Sequence, residues 1–260
     1  MSLYFIKSRK YLFVNKVNIF IVALLRCSII VYSMCIQNKD NLVQYSYERI
    51  RDMIFTYEIV PGHTISDYSL SSKLNISRTP IRQALMMLLS DGLVVKTNSS
   101  FSVVKIDRAF LDSLYEARLC LEPYIIKHNE NIDLEKAEEL IKKEENYIKE
   151  QNYVNALDID LEFHNLLFTT YDNSILSASY KSIYSRMKLA NVISLASVNK
   201  KAADEYKQII SSLKVGDKEK ASKLLTKSIS KGYTQKIKAL EKYGALIFEM
   251  IRGYYENSDK

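Results

Sequence analysis

The sequence predicts a mostly helical chain in two parts, and three observations carry that prediction. Only 6 glycines and 3 prolines occur in 260 residues, too few punctuating residues for a turn-rich β architecture. From Leu42 onward, apolar residues recur at helical spacing over most of the length. The exception is one short β-rich stretch, Leu93 to Lys96 and Phe101 to Ile106, joined by the polar tip Thr97-Asn98-Ser99-Ser100.

Each element follows from local chemistry. Val43, Tyr47, Ile50 and Ile54 mark one amphipathic helix that ends before Pro61-Gly62. A second helix starts after Ser66, an N-cap, and buries Leu70 and Leu74. Asn75 supplies the turn, because asparagine tolerates the left-handed conformation. Ser77 caps a third helix with Pro80 in its first turn and Ile81, Leu85 and Leu88 as its core stripe; Asp91-Gly92 ends it. Three helices and a β-hairpin within about sixty residues make a winged helix-turn-helix plan.

The remainder reads as an all-α antiparallel bundle of about six helices. Asp107 caps one through Phe110, Leu111, Leu114, Leu121 and Ile125, and Asp133 caps another that turns Ala137, Leu140 and Ile141 inward. Further helices are expected over Tyr153–Thr170, Ser174–Ser197, Ala202–Val215 and Asp217 to about Arg252. The expected division is an extension over 1–33, a winged helix-turn-helix domain over 34–106, an all-α domain over 107–252, and a tail over 253–260.

The extension is apolar and basic. Lys7, Arg9 and Lys10 precede an apolar run from Tyr11 to Ile36, as in a secretory signal or membrane anchor. Lys16 and Arg26 interrupt the run, whereas a spanning helix needs about 20 mostly apolar residues. Two readings stay open: a natural start at Met34, or a genuine extra helix or anchor. No stable membrane association is expected, and the expected compartment is the cytoplasm. Three cysteines without CxxC spacing fit a reducing environment and no disulfide framework.

Enzyme classes find little support. The sequence has no phosphate-cradling glycine loop, no GxSxG elbow and no Cys/His pair with a third partner. The formal charge of +7 permits a polyanionic partner, double-stranded DNA. Between Met34 and Ile106, however, 8 Lys/Arg face 6 Asp/Glu, so any basic footprint is local. Arg78 and Arg82, four apart, project from one side of the third helix, where guanidinium groups can read guanine O6 and N7. Ser77 and Thr79 at that helix N-terminus can hold phosphate oxygens. By spacing alone, the two arginines are equally well read as solvated surface charges.

The string Tyr47-Glu48-Arg49-Ile50-Arg51, then Pro61-Gly62, then Leu74-Asn75-Ile76-Ser77-Arg78-Thr79-Pro80-Ile81-Arg82-Gln83-Ala84-Leu85 resembles the GntR family of bacterial regulators. Tyr115-Glu116-Ala117-Arg118, Leu121-Glu122, Asp160-Leu161-Glu162-Phe163-His164, Asp172-Asn173, Glu205-Tyr206, Gly216-Asp217 and Ala221 resemble its FadR-type (FCD) effector domain. The resemblance runs in order from about Leu42 to Tyr233. It implies that Arg78, Thr79 and Arg82 contact operator DNA with help from the wing tip, here Asn98, Ser99 and Ser100. Tyr68 and Met86 stand where many relatives carry basic residues, so fewer phosphate contacts are expected.

For the second domain the resemblance implies a small ligand between the helices and, in the metal-binding class, an ion. Asp160 and His164, at i and i+4, have the spacing to reach one zinc or nickel ion. The two further histidines of that class are replaced by Tyr206 and Ser228, poor ligands at neutral pH, so the site is incomplete and a metal cofactor is disfavoured. The competing reading of Asp160 and His164 is a hydrogen-bonded pair on one helix. Arg118 is read either as a carboxylate clamp or as an ion pair with Glu122 or Glu116. Tyr206 and Ser228 would donate to the same ligand.

The expectation is therefore a homodimeric DNA-binding regulator. It would read an inverted repeat, and a small carboxylate-type effector would relieve its repression. A membrane-tethered regulator, and a sensor with a weakened DNA domain, are the alternatives.

Overall fold

A computed structural model describes residues 41–197 and 202–258. The expected extension over 1–33, with Cys27 and the Met34 start, lies outside the described residues. The chain is mostly helical, with an N-terminal winged helix-turn-helix followed by an all-helical bundle.

Helix α1 (residues 41–55) buries Tyr47, Ile50, Met53 and Ile54. Helices α2 (Asp67–Leu74) and α3 (Arg78–Ser90) follow. Ser66 caps α2 by accepting from Ser69 N, and Asn75 ends it in the left-handed region at φ 54°. Ser77 is the N-cap of α3 by backbone conformation, but its side chain makes no cap bond, contrary to expectation. Ile81, Leu85 and Leu88 are fully buried, each contributing about 1.5–3 kcal/mol of transfer free energy.

The wing is more than a hairpin. Strands β2 (Val94–Thr97) and β3 (Ser100–Val103) pair antiparallel from Val94↔Val103 to Thr97↔Ser100. A short strand β1 (Thr64–Ile65) pairs with the other edge of β3, giving the order β1-β3-β2. The tip narrows to Asn98 and Ser99, with Asn98 at φ 55°, and Ser100 belongs to the strand.

The bundle comprises α4 (Arg108–His128), α5 (Leu134–Lys149), α6 (Tyr153–Thr169), α7 (Ser174–Asn191), α8 (Ala202–Lys214), α9 (Lys218–Tyr243) and α10 (Leu246–Ser258). The side chains of Asp107 and Asp133 cap α4 and α5 as expected. Two expected helices are divided. A 3₁₀ segment, Val192–Ser197, continues α7, and Gly244, at φ 53°, separates α9 from α10. Helix α4 lies along α9, α5 packs on α6 and α8, and α8 packs on α9.

The two parts are joined by buried polar contacts. Asp91, at the end of α3, accepts from the Tyr47 hydroxyl at 2.5 Å and pairs with Lys181 of α7 at 2.9 Å. Tyr57 is fully buried at φ 58°, a costly backbone state for a bulky residue. Its hydroxyl donates to Leu189 O at 2.5 Å and its ring meets Phe248 edge-on at 5.6 Å, contacts that hold that conformation in place. Gly92, at φ 74°, lies under the Arg186 guanidinium of α7, leaving no room for a Cβ.

Candidate functional site

The recognition surface lies on α3 and the wing. Ser77, Arg78, Thr79 and Arg82 are exposed, as are Asn98, Ser99 and Ser100. The arginines do project together, but they are not simply solvated. Both bind Asp67 of α2: Arg78 reaches its two oxygens at 3.0 Å, and Arg82 Nε donates to Oδ2 at 2.6 Å. The hydrogen bond from Arg78 is the main reason the Asp67 carboxyl sits below its usual range. The arginine side chains stay more than half exposed, so these pairs are weak and yield readily to a better anion. Tyr68 and Met86 are exposed beside them without charge.

The second constellation surrounds a cavity of about 90 Å³ between α4, α5, α6, α8 and α9. Arg118, Asp160, His164, Tyr206 and Ser228, five positions singled out in the sequence, all line it. Their connections narrow the alternatives left open by the sequence.

Arg118 is not free to clamp a ligand carboxylate. Its guanidinium engages Glu122 through Nε at 2.5 Å and a second nitrogen at 3.2 Å, so the ion-pair reading prevails. Glu122 is wholly buried and its second oxygen also lies 2.7 Å from His164 Nδ1. Burial alone would raise its pKa, but Arg118 and His164 outweigh that and hold the carboxyl at about 2.

Asp160 and His164 do not bond each other along the helix. Tyr206 stands between them, its hydroxyl donating to Asp160 Oδ1 and lying 3.0 Å from His164 Nε2. Burial, reinforced by Asp160, keeps that phenol un-ionised far above neutrality. A neutral hydroxyl thus bridges the two side chains that would have to share an ion. Ser228 points instead to Glu205, at 3.3 Å. No group of three His, Cys, Asp or Glu among the described residues could hold a metal. This donor set does not fit a resident transition metal.

Two residues escaped the sequence reading. Glu144 of α5 is buried, lines the cavity, and has no hydrogen-bond or ion-pair partner among the described residues. Burial first, then Asp160 and Glu145, push its carboxyl up to about 9. Its position continues the inward stripe Ala137, Leu140, Ile141, which was the available signal. Lys236 of α9 also lines the cavity and has no ion-pair partner among the described residues. Withdrawal of its ammonium from solvent, with Arg118 adding to the effect and Asp160 opposing it, brings it down to about 8. By contrast, Lys231 is neutralised by Glu205 at 2.5 Å.

Comparison with known proteins gives the family of both parts. The family model described as bacterial regulatory proteins, gntR family, matches residues 43–103, and the FCD domain model matches residues 113–231.

The chain belongs to the GntR family, with an FCD domain.

Its GntR relatives include the Nta operon transcriptional regulator of Aminobacter aminovorans, 28% identical over 80% of this chain and 97% of that protein. The gluconate operon transcriptional repressor of Bacillus subtilis is 21% identical over 65% of this chain and 70% of its own length. Escherichia coli McbR shares the fold at TM-score 0.64 and 19% identity, covering 78% of this chain and 99% of that one. A GntR regulator from Rhodococcus sp. RHA1 does so at TM-score 0.65 and 20% identity, covering 75% and 97%. As a GntR-family protein the chain is a DNA-binding transcriptional regulator. No helix among the described residues is long and apolar enough to cross a membrane.

Proposed function

We propose that this GntR regulator is a homodimeric repressor that reads an inverted-repeat operator and is released by a small carboxylate-bearing metabolite. Residues 34–106 would bind DNA, and residues 107–252 would bind the effector and the second subunit. Arg78 and Arg82 read bases, Ser77 and Thr79 hold phosphates, and Asn98, Ser99 and Ser100 approach the neighbouring groove. The observation that carries the reading is the convergence of Arg118, Asp160, His164, Tyr206 and Ser228 on one polar cavity. Arg118 there acts as a fixed positive wall, while Tyr206 and Ser228 offer hydroxyls. Among relatives, one is named a gluconate operon transcriptional repressor, which supports the repressor assignment.

Transmission has a physical route. Asp160 and Asn191 line the cavity, and Asn191 immediately precedes the 3₁₀ segment that continues α7. Helix α7 also carries Lys181, Arg186 and Leu189, which contact Asp91, Gly92 and Tyr57. A ligand that shifts α7 biases the placement of the winged domain. Footprinting of genomic fragments with the purified protein, repeated after adding small organic acids, tests the reading. A protected inverted repeat that is lost on adding an acid is expected. No protected site, or protection indifferent to every acid, overturns it.

A further inference from the structure

The cavity holds a charge imbalance that constrains its ligand further than a carboxylate alone. Two of its ion pairs are closed: Arg118 with Glu122, and Lys231 with Glu205. What remains facing the space is one cation, Lys236, and the neighbouring carboxyls of Glu144 and Asp160. Asp160 accepts from Tyr206, whereas Glu144 and Lys236 have no hydrogen-bond or ion-pair partner among the described residues, although Glu144 is only 3% exposed. A buried carboxyl with no donor, lining the same cavity as a half-buried ammonium with no acceptor, is unfavourable unless a ligand satisfies them.

We propose that the effector is a small amino acid, its carboxylate bound by Lys236 and its ammonium by Glu144 and Asp160. This deepens the proposal above and rests on it for the location of the site. A dicarboxylate would set two anions against one open cation, beside Asp160 and a Glu144 carboxyl that burial keeps protonated until a cation is placed next to it. A simple amine would satisfy the acidic pair but leave Lys236 uncompensated and add a second cation. Only a ligand with both charges neutralises both walls at once. The missing metal ligands agree with this: with Tyr206 joining Asp160 to His164, the cavity selects by its own side chains and not through an ion.

The test is calorimetric binding to the full-length protein. The panel is the common α-amino acids with 4-aminobutyrate and 5-aminopentanoate, each beside the acid lacking its amine and the amine lacking its carboxylate. At least one amino acid should bind, with both analogues ten- to hundredfold weaker, as expected for loss of one charge-assisted contact. Glu144→Gln should weaken the amino acid by a similar factor while leaving the deaminated acid nearly unchanged, and Lys236→Met should weaken both. Thermal unfolding of each variant checks that it is folded. If the acids bind as tightly as their amino counterparts, the zwitterion inference is wrong and the carboxylate proposal stands. If neither amino acids nor acids bind, both fall.

Discussion

Tyr47 of α1 donates a 2.5 Å hydrogen bond to Asp91, the buried residue that ends the recognition helix. Lys181 of α7 closes the other side of the same carboxylate. One acid therefore ties the first helix, the recognition helix and the bundle together. Replacing Tyr47 by Phe should remove about 1.5–3 kcal/mol of stability, the value of a hydrogen bond to a charged group, and lower the melting temperature. It should also weaken the effect of ligand on operator affinity more than it weakens ligand binding itself. An unchanged ligand response would show that the junction does not carry the signal.

Asp67 holds both arginines of α3, so DNA must compete with it. Arg82→Ala should abolish sequence-specific operator binding while leaving the oligomeric state intact. A lost bidentate contact is worth about 1–3 kcal/mol at its base pair. Asp67→Ala should have the opposite sign, raising affinity a few-fold, because exposed pairs of this kind are worth at most about 1 kcal/mol. Gel-shift titrations of the three proteins on one operator decide both points.

Exposed Tyr68 and Met86 and a wing tip of Asn98 and Ser99 add no positive charge to the DNA face. The slope of log affinity against log salt should accordingly imply well under about ten released ions. A slope near ten would require basic contacts that α2, α3 and the wing do not supply.

Glu122 makes the buried contribution to the acid sensitivity of the bundle. Its folded pKa, about 2, lies below the ordinary value of 4.5, so it adds stability that is present above 4.5 and lost as pH falls towards 2. Arg118→Ala should be severe, about 3–5 kcal/mol, because it strands a buried carboxylate beside His164. Chemical denaturation at pH 7 and pH 3 should show the variant and wild-type curves converging at the lower pH.

The open walls of the cavity should cost stability. Glu144 is raised to about 9, so the unfolded chain, where it ionises near 4.5, gains on the folded one as pH climbs between those values. Glu144→Gln should therefore stabilise the ligand-free protein at pH 8, by on the order of 2 kcal/mol. Lys236 is lowered to about 8, so its penalty is present below that pH and fades as pH rises towards 10.5; Lys236→Met should stabilise at pH 7. Denaturant midpoints lower than wild type in both variants would contradict the picture of a strained site.

Much of this molecule was legible before any coordinates. The run from Ser77 to Leu88 marks a helix because proline near its start and apolar residues at 81, 85 and 88 fit helical spacing. Asp107 and Asp133 cap where they should, since capping depends on a few adjacent residues. Strand β1 was invisible: two residues carry no period, and only the edge of β3 makes them a strand. The break at Gly244 was hidden because the apolar pattern continues through it into α10.

The sequence by itself determined the fold class, through local propensity and the apolar faces of the helices, and its resemblance to a family pointed to five of the side chains that line the cavity. Tertiary structure decided what each side chain does there. Arg118 could pair with Glu116, with Glu122 or with a ligand, and only the packing of α4 against its neighbours settles it on Glu122 beside His164. The same packing leaves Glu144 and Lys236 facing a cavity without partners. Pairing between charges is a matter of distance and burial, and neither is written in the spacing of one helix.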